Sequence, residues 1–149
     1  MSSDYRWLSE EVILAIHDRV IAEHGGEPGV LNLNNLKSAM ARPINAAAYE
    51  NASVFDAAAL YAHGITKGHA FEDGNKRTAF MAAYTFLAKH EFQMNASEER
   101  ATQAMIDLTT DKLNVADFSA WLKESSVKME LQQRQQQEEQ QRIQPKLKP

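Results

Sequence analysis

The sequence contains no cysteine in its 149 residues. Disulfide bonds and thiolate metal sites are therefore excluded, and a reducing compartment is compatible with the chain. Positive charge is not in excess either, because 16 Lys and Arg residues face 20 Asp and Glu residues and give a formal net charge of −4. A chain with this balance has no basic field that could hold a phosphate backbone, so direct nucleic-acid binding is not expected.

Long hydrophobic runs are missing as well. No apolar segment reaches the ~20 residues that a membrane-spanning helix needs, and the N-terminal segment MSSDYRWLSEEV lacks the layout of a signal peptide. We therefore expect a soluble, cytoplasmic protein that does not contact a membrane. The chain length and the 44% hydrophobic content predict one globular domain with a single core.

The first third of the chain shows helical spacing. Apolar residues that recur every four positions predict a first helix whose core stripe is Leu8, Val12, Ile16 and Val20. Ser9 can cap this helix at its start. The segment NLNNLKSAMA predicts a short second helix that stops before Pro43, because a proline restricts the residue before it. Residues 43–52 have no clear period and predict a connecting flap on the surface.

Further helices follow. Ser53 and Asp56 form a capping-box pattern that opens a helix ending at Gly68. The segment TAFMAAYTFLA is apolar on almost every side, which predicts the buried central helix of a bundle. Ser97 and Asn114 are expected to cap two more helices. The predicted fold class is therefore all-α, a compact bundle of about six helices.

The composition changes near the C-terminus, where LQQRQQQEEQQRIQPKLKP is rich in Gln and has almost no apolar face. Such a segment cannot bury a core and is typical of a frayed polar helix or a disordered tail. The chain is accordingly divided into a helical domain, residues 1–126, and a Gln-rich polar tail, residues 127–149.

A cluster of polar and charged residues, GHAFEDGNKRTAF at 68–80, lies between one predicted helix and the start of the buried one. The first amides of that buried helix have no intrahelical acceptor, and an anion is a natural partner for them. Gly74 allows the backbone to turn sharply and to approach a ligand closely. The segment therefore predicts an anion-binding cradle of backbone amides.

The side chains around this cradle suit phosphate chemistry. Lys76 and Arg77 are cations for phosphate oxygens, and Asn75 can donate a hydrogen bond without adding charge. Asp73 is a hard carboxylate of the kind that holds Mg²⁺. His69 can accept a proton near neutral pH and is the candidate general base. Together they indicate phosphoryl or nucleotidyl transfer; the alternative is a solvated loop capped by its own side chains.

The remaining histidines are interpreted as structural. His17, His24 and His63 are expected to be helix-surface or core residues rather than ligands, because the sequence lacks metal-binding spacing such as H-E-x-x-H.

The stretch HAFEDGNKR, residues 69–77, resembles the Fic/Doc signature, H-x-F-x-[D/N]-[A/G]-N followed by Lys or Gly and then Arg. Lys76 is typical of the Doc, or death-on-curing, branch. The segments HGGEPGV and AYE at 48–50 extend the resemblance, which covers roughly residues 7–125.

The resemblance implies a kinase-type phosphotransferase that uses ATP and Mg²⁺ to modify a protein hydroxyl. By position, it implies that His69 is the catalytic base and Asp73 the metal ligand. It also implies a set of residues that bind the phosphates of ATP, which are Gly74, Asn75, Lys76 and Arg77. Lys67 stands where Doc-like sequences can carry Arg, and a weaker anion contact is expected there.

The resemblance also implies partners. Doc-type proteins are toxins of toxin–antitoxin systems that phosphorylate elongation factor Tu and arrest translation, and their antitoxin docks a helix in a groove beside the active site. The chain lacks the inhibitory motif [S/T]-x-x-x-E-[G/N], because Ala46 stands where Ser or Thr is required. Inhibition is therefore expected to come from a separate antitoxin.

Two other functions stay open. The first is a Fic-type adenylyltransferase, which attaches AMP; against it, Lys76 replaces the expected Gly and Phe80 replaces a second Arg. The second is a non-catalytic module that uses the loop to bind a nucleotide or a partner.

Overall fold

The computed structural model describes residues 5–129 and residue 139. Its elements are α1 Glu10–His24, α2 Leu33–Tyr49, α3 Val54–Gly68, α4 Asn75–Lys89, β1 Phe92–Met94, α5 Glu98–Thr109, α6 Val115–Glu124 and β2 Ser126–Lys128. The predicted all-α bundle of about six helices is confirmed in this part of the chain. The Gln-rich tail lies outside the described residues from residue 130 onward, apart from residue 139.

Capping side chains set the start of most helices. In five helices the N-cap side chain accepts a hydrogen bond from the amide three residues later, and these N-caps are Ser9, Asn32, Ser53, Ser97 and Asn114. The predicted caps of α1, α3, α5 and α6 are therefore confirmed. Among the described helices α4 is the exception, since its N-cap is Gly74 and no side chain caps it.

The central helix of the bundle is α3, which packs against α2, α4, α5 and α6. Its alanine-rich face allows close approach, and a Cβ atom added to Gly64 would lie only 2.8 Å from Cβ of Ala39 in α2. The prediction that α4 is the central, wholly buried helix is wrong. Met81 of α4 is 37% exposed, and Phe80 and Tyr84 are half-buried, because this side of α4 lines an open groove.

The predicted helix end before Pro43, and the predicted flap at 43–52, are also wrong. Pro43 lies inside α2, which continues to Tyr49. An internal proline removes one backbone hydrogen bond of the helix. This cost is offset because Pro43, Ala46 and Ala47 are buried, and alanine has the highest helix propensity.

The buried face of α1 differs from the predicted stripe. Its buried residues are Ile13, His17 and Val20, whereas Val12 and Ile16 are half-buried. A strict four-residue spacing drifts around a helix by about 40° per step, since each residue turns the chain by about 100°. In the structure the spacing alternates between four residues, from Ile13 to His17, and three residues, from His17 to Val20, which keeps the buried residues facing the core.

A hydrogen bond joins the segment before α1 to helix α3. The backbone amide of Leu8 donates to Tyr61 Oη at 3.0 Å. Burial of this tyrosine raises its pKa to about 12, although the bond from Leu8 acts in the opposite direction.

Strands β1 and β2 pair antiparallel, with Gln93 opposite Val127. Three-residue strands are too short to show an alternating pattern, which is why the sequence did not predict them.

Among the residues that the structure describes, 5–129 and 139, no helix is long and apolar enough to span a membrane.

Asp56 joins two helices near the start of α3. Its Oδ2 accepts from the Ser53 amide at 3.0 Å, and its Oδ1 accepts from Ser119 Oγ of α6 at 2.7 Å. Partial burial alone raises the pKa of Asp56, but the hydrogen bonds from Ser119 and Ser53 outweigh it and leave the pKa below its ordinary value. The ionised form therefore stabilises the fold at neutral pH.

We expect Asp56→Ala to lower the free energy of unfolding by about 1–2 kcal/mol at neutral pH. Because the folded-state pKa is lowered, the loss should be full above the ordinary aspartate pKa of about 4 and should shrink as the pH falls through the folded value. Urea unfolding at neutral and acid pH measures this. Asp117→Ala, at the corresponding position of α6 and outside the capping box of α3, is the control. A loss of equal size in both variants contradicts the account.

Candidate functional site

The polar loop between α3 and α4, residues 69–74, begins with an unusual backbone conformation. His69 follows the last residue of α3 with φ 45° and ψ 49°, in the left-handed region, where residues other than glycine are uncommon. Its neighbours Ala70 and Phe71 are buried, whereas His69 itself is exposed. The turn thus buries the apolar residues of the loop and leaves the imidazole at the surface.

The side chain of Asn75 fixes the middle of the loop. Its Oδ1 accepts from the Phe71 amide at 3.1 Å, and its Nδ2 donates to the Phe71 carbonyl at 2.9 Å. Both polar atoms bond to backbone groups, which leaves the side chain one further N–H, and the backbone amide of Asn75 also stays available to a ligand.

The connection between α1 and α2 holds the loop from a second side. The Ala70 carbonyl accepts hydrogen bonds from the amides of Leu31 and Asn32 at 2.7 and 3.1 Å. The Glu72 amide donates to the Gly29 carbonyl at 3.2 Å. These bonds act like a short stretch of sheet pairing and give the loop a defined path.

A third contact comes from α1. The ring of His17 stacks on Phe71 with 3.8 Å between centroids and 9° between planes, and His17 Nε2 donates to the Asp73 carbonyl at 2.7 Å. The sequence predicted a surface or core histidine here, without a contact to the loop. The available signal was its spacing with Ile13 and Val20, which places a polar residue on a buried stripe.

The N-terminus of α4 lacks a side-chain acceptor because Gly74 is its N-cap. Gly74 has φ 81°, and an added Cβ atom would lie 3.2 Å from Val20 Cγ1, so both conformation and space favour glycine. The first intrahelical bond runs from the Thr78 amide to the Gly74 carbonyl. We call the backbone N–H groups of residues 75–77 the amide cradle; each precedes the first helical donor and is available to an anion.

Charged side chains surround the amide cradle. Lys76 and Arg77 are exposed, and no carboxylate of the described residues lies within ion-pair distance of either. Asp73 is also exposed, and its Oδ2 accepts from the Glu27 amide at 2.7 Å. Close packing fixes this carboxylate, since an added Cβ atom on Gly26 would lie 3.0 Å from Asp73 Cβ.

The loop opens on a groove of about 1300 Å³ that extends from the C-terminal half of α1 across α4 to α5. Six of the seven predicted site residues line its polar end, namely His69, Asp73, Gly74, Asn75, Lys76 and Arg77. Its other end is apolar and is formed by Phe80, Met81, Tyr84, Met94, Met105 and Ile106. The volume exceeds the roughly 300–1000 Å³ of ordinary small-molecule pockets, so it can hold more than a small ligand.

Lys67 does not line the groove. Its Nζ lies 2.9 Å from Asp111 Oδ1 and donates to the Thr109 carbonyl at 3.1 Å, at the C-terminal end of α5. The anion contact expected for Lys67 thus competes with an existing ion pair.

Two titratable groups near the site have shifted pKa values. At the α1 end of the groove, a hydrogen bond from Arg19 lowers the pKa of Glu23 below its ordinary range. Outside the groove, burial lowers the pKa of His63, and the positive charges of Arg42 and Lys67 act in the same direction. Both shifts favour the form that is ordinary at neutral pH, the ionised carboxylate and the neutral imidazole.

We expect Asn75→Ala to lower the free energy of unfolding by about 2 kcal/mol, because it leaves two backbone groups of the buried Phe71 without partners. Hydrogen exchange of the Phe71 amide should accelerate more than exchange in α3. The matched control is Asn45→Ala, an exposed position inside α2, which should be nearly neutral. Unchanged exchange of the Phe71 amide in Asn75→Ala refutes the role of this side chain.

The family comparison agrees with the geometry. The sequence profile described as "Fic/DOC family" matches residues 7–87, which include α1–α3, the loop and most of α4. "Protein kinase doc" of Escherichia phage P1 is 31% identical over 119 residues, which cover 79% of this chain and 94% of that protein. "Toxin Doc" of Mycolicibacterium smegmatis is 35% identical over 104 residues, which cover 66% of this chain and 78% of that protein.

The matched profile spans more than half of the 149 residues and contains the loop whose spacing predicted the family. The prediction is confirmed: the chain belongs to the Fic/DOC family.

Proposed function

We propose that this protein is the toxin of a toxin–antitoxin module and transfers the γ-phosphoryl group of ATP to a hydroxyl of a protein substrate, elongation factor Tu. The observation that carries the proposal is the N-terminus of α4, which no side chain caps, with His69 and Asp73 beside it. Two cations, Lys76 and Arg77, lie there as well and pair with no carboxylate of the described residues. The names of the two relatives, a protein kinase and a toxin, support it.

The amide cradle binds the terminal phosphate of ATP. Backbone N–H groups at a helix N-terminus point at an anion and carry the positive end of the helix dipole. Arg77 presents a guanidinium fork to phosphate oxygens, and Lys76 adds a point charge. Positioning and charge compensation supply most of the catalysis of phosphoryl transfer, so this arrangement suffices without a covalent intermediate.

His69 acts as the general base. Its ring is exposed in the groove and free to accept the proton of the attacking hydroxyl. The hydroxyl oxygen then bonds to the γ-phosphorus, the bond to the bridging oxygen breaks, and ADP leaves. General base catalysis of this kind contributes roughly 10²–10⁴ in rate.

Asp73 fits the role of magnesium ligand. One carboxylate oxygen accepts from the Glu27 amide, and the other faces no described partner. Among the residues that the structure describes, no cluster of three or more His, Asp or Glu residues could hold a metal alone. Mg²⁺ does not need one, because it prefers one or two carboxylates together with phosphate oxygens and waters. Bound there, Mg²⁺ would compensate phosphate charge.

The other side chains favour the γ-phosphorus as the point of attack. Lys76 places a long cationic side chain at the mouth of the amide cradle, where adenylylating relatives carry glycine. Phe80 and Tyr84 present rings to the groove, with 6.3 Å between their centroids, and supply no cation for the outer phosphates. We infer that ATP binds with its terminal phosphate beside His69.

The apolar end of the groove fits the antitoxin. Met81 and Ile106 are large apolar side chains exposed there, and a groove of this kind accepts one face of an amphipathic helix. Ala46, which replaces the hydroxyl residue of the inhibitory motif, is buried in α2. Inhibition by a separate antitoxin helix therefore completes the proposal.

We expect His69→Ala to abolish growth arrest in bacteria while leaving thermal unfolding nearly unchanged, because the exposed imidazole contributes little to packing. His24→Ala is the matched control, since His24 also lines the groove, at the α1 end. Growth curves after induced expression measure the effect. Arrest by His69→Ala as strong as arrest by the parent protein contradicts a catalytic toxin.

We expect purified protein, supplied with bacterial extract and Mg²⁺, to transfer label to elongation factor Tu from γ-labelled ATP and not from α-labelled ATP. Autoradiography of separated proteins measures this. Label from the α position identifies an adenylyltransferase that uses the same anion site. Label from neither position favours a binding module.

A further inference from the structure

His17 is a polar residue on the buried stripe of α1. It is 2% exposed and lies between Ile13 and Val20. Burying an imidazole without a hydrogen-bond partner is costly, and here the partner is a backbone carbonyl of the functional loop. The ring also covers Phe71, so His17 contacts the loop on both sides of Glu72.

The hydrogen bond to His17 orients the peptide group between Asp73 and Gly74. The chain contains no cis peptide bond in its described residues, and in a planar trans peptide the N–H points opposite to the C=O. The Asp73 carbonyl points to α1, where it meets His17 Nε2 at 2.7 Å. The Gly74 N–H therefore points away from α1, and Gly74 lines the groove.

The peptide group between Asp73 and Gly74 needs a contact that fixes its orientation. Gly74 has φ 81°, and glycine accepts either sign of φ at little cost, so its preceding peptide could rotate. Rotation would turn the Asp73 carbonyl oxygen, a partial negative charge, towards the position of a bound phosphate. It would also remove one N–H donor from the start of the amide cradle.

We propose that His17 is a positioning residue for phosphoryl transfer: by holding the Asp73 carbonyl, it aims the Gly74 N–H into the groove and extends the amide cradle by one donor. The inference rests on the proposed function for its effect on ATP. The Asp73 carboxylate is held separately by the Glu27 amide. Removal of the His17 donor should therefore disturb the amide cradle and leave the magnesium ligand in place.

A matched pair of variants, His17→Gln and His17→Met, isolates the donor. The two side chains have similar length and both remove the ring, but glutamine keeps an N–H donor and methionine does not. A merely structural role predicts that the apolar methionine is tolerated at this buried position at least as well as glutamine. A positioning role predicts that His17→Gln is more active than His17→Met, even where methionine gives the more stable protein.

In protein without nucleotide, the ¹⁵N–¹H resonance of Gly74 loses the ring current of His17 in both variants. We expect it to stay a single sharp signal in His17→Gln and to broaden or split in His17→Met, where the peptide group is no longer held. We expect label transfer from ATP to fall about 10- to 100-fold in His17→Met and by no more than about threefold in His17→Gln. Thermal unfolding of both variants verifies that each is folded.

The Gly74 resonance requires no ATP, so it decides the inference even if the parent protein transfers no label, which would be a failure of the proposed function. A Gly74 resonance in folded His17→Met that is as sharp and single as in His17→Gln overturns the inference. Equal transfer rates in the two variants overturn it as well. If His17→Met does not fold, His17→Phe, which keeps a ring against Phe71 and lacks the donor, takes its place against His17→Gln.

Discussion

The uncapped first turn of α4 is the constraint on which the rest of the site depends. Five described helices satisfy an early amide with an N-cap side chain, but Gly74 cannot. The loop before Gly74 is instead held by three sets of hydrogen bonds. The Asn75 side chain bonds to the backbone of Phe71, residues 29–32 bond to the backbone of the loop, and His17 bonds to the Asp73 carbonyl. The amides of the first turn therefore meet the groove beside a loop that these bonds hold in place, as preorganised charge stabilisation requires.

Features that depend on near neighbours could be predicted from the sequence. The capping box of Ser53 and Asp56 and the caps at Ser97 and Asn114 join residues three positions apart. The order of side chains in the loop likewise identified the family and the six residues that meet at the polar end of the groove. Local patterns are sufficient here because the energy of a cap or of a helix N-terminus depends mainly on residues within one turn of the helix.

Features that depend on distant contacts could not be predicted. The bond from His17 to Asp73 spans 56 positions of the chain, and the one from Lys67 to Thr109 spans 42. Pro43 continues α2 because its ring is buried, and burial outweighs the local preference to end a helix there. A residue type in a motif indicates its chemistry, but only the packed structure shows which of its atoms are already occupied, as for Asn75.

The central claim is that the first amides of α4 bind the terminal phosphate of ATP. It is tested most directly by ¹⁵N–¹H resonances of residues 74–77 during titration with Mg²⁺–ATP and, separately, with adenosine and Mg²⁺. The account predicts that ATP shifts these amides at concentrations at which adenosine does not, because the phosphates make the contact. Shifts confined to the apolar end of the groove, or equal shifts with adenosine, would contradict it.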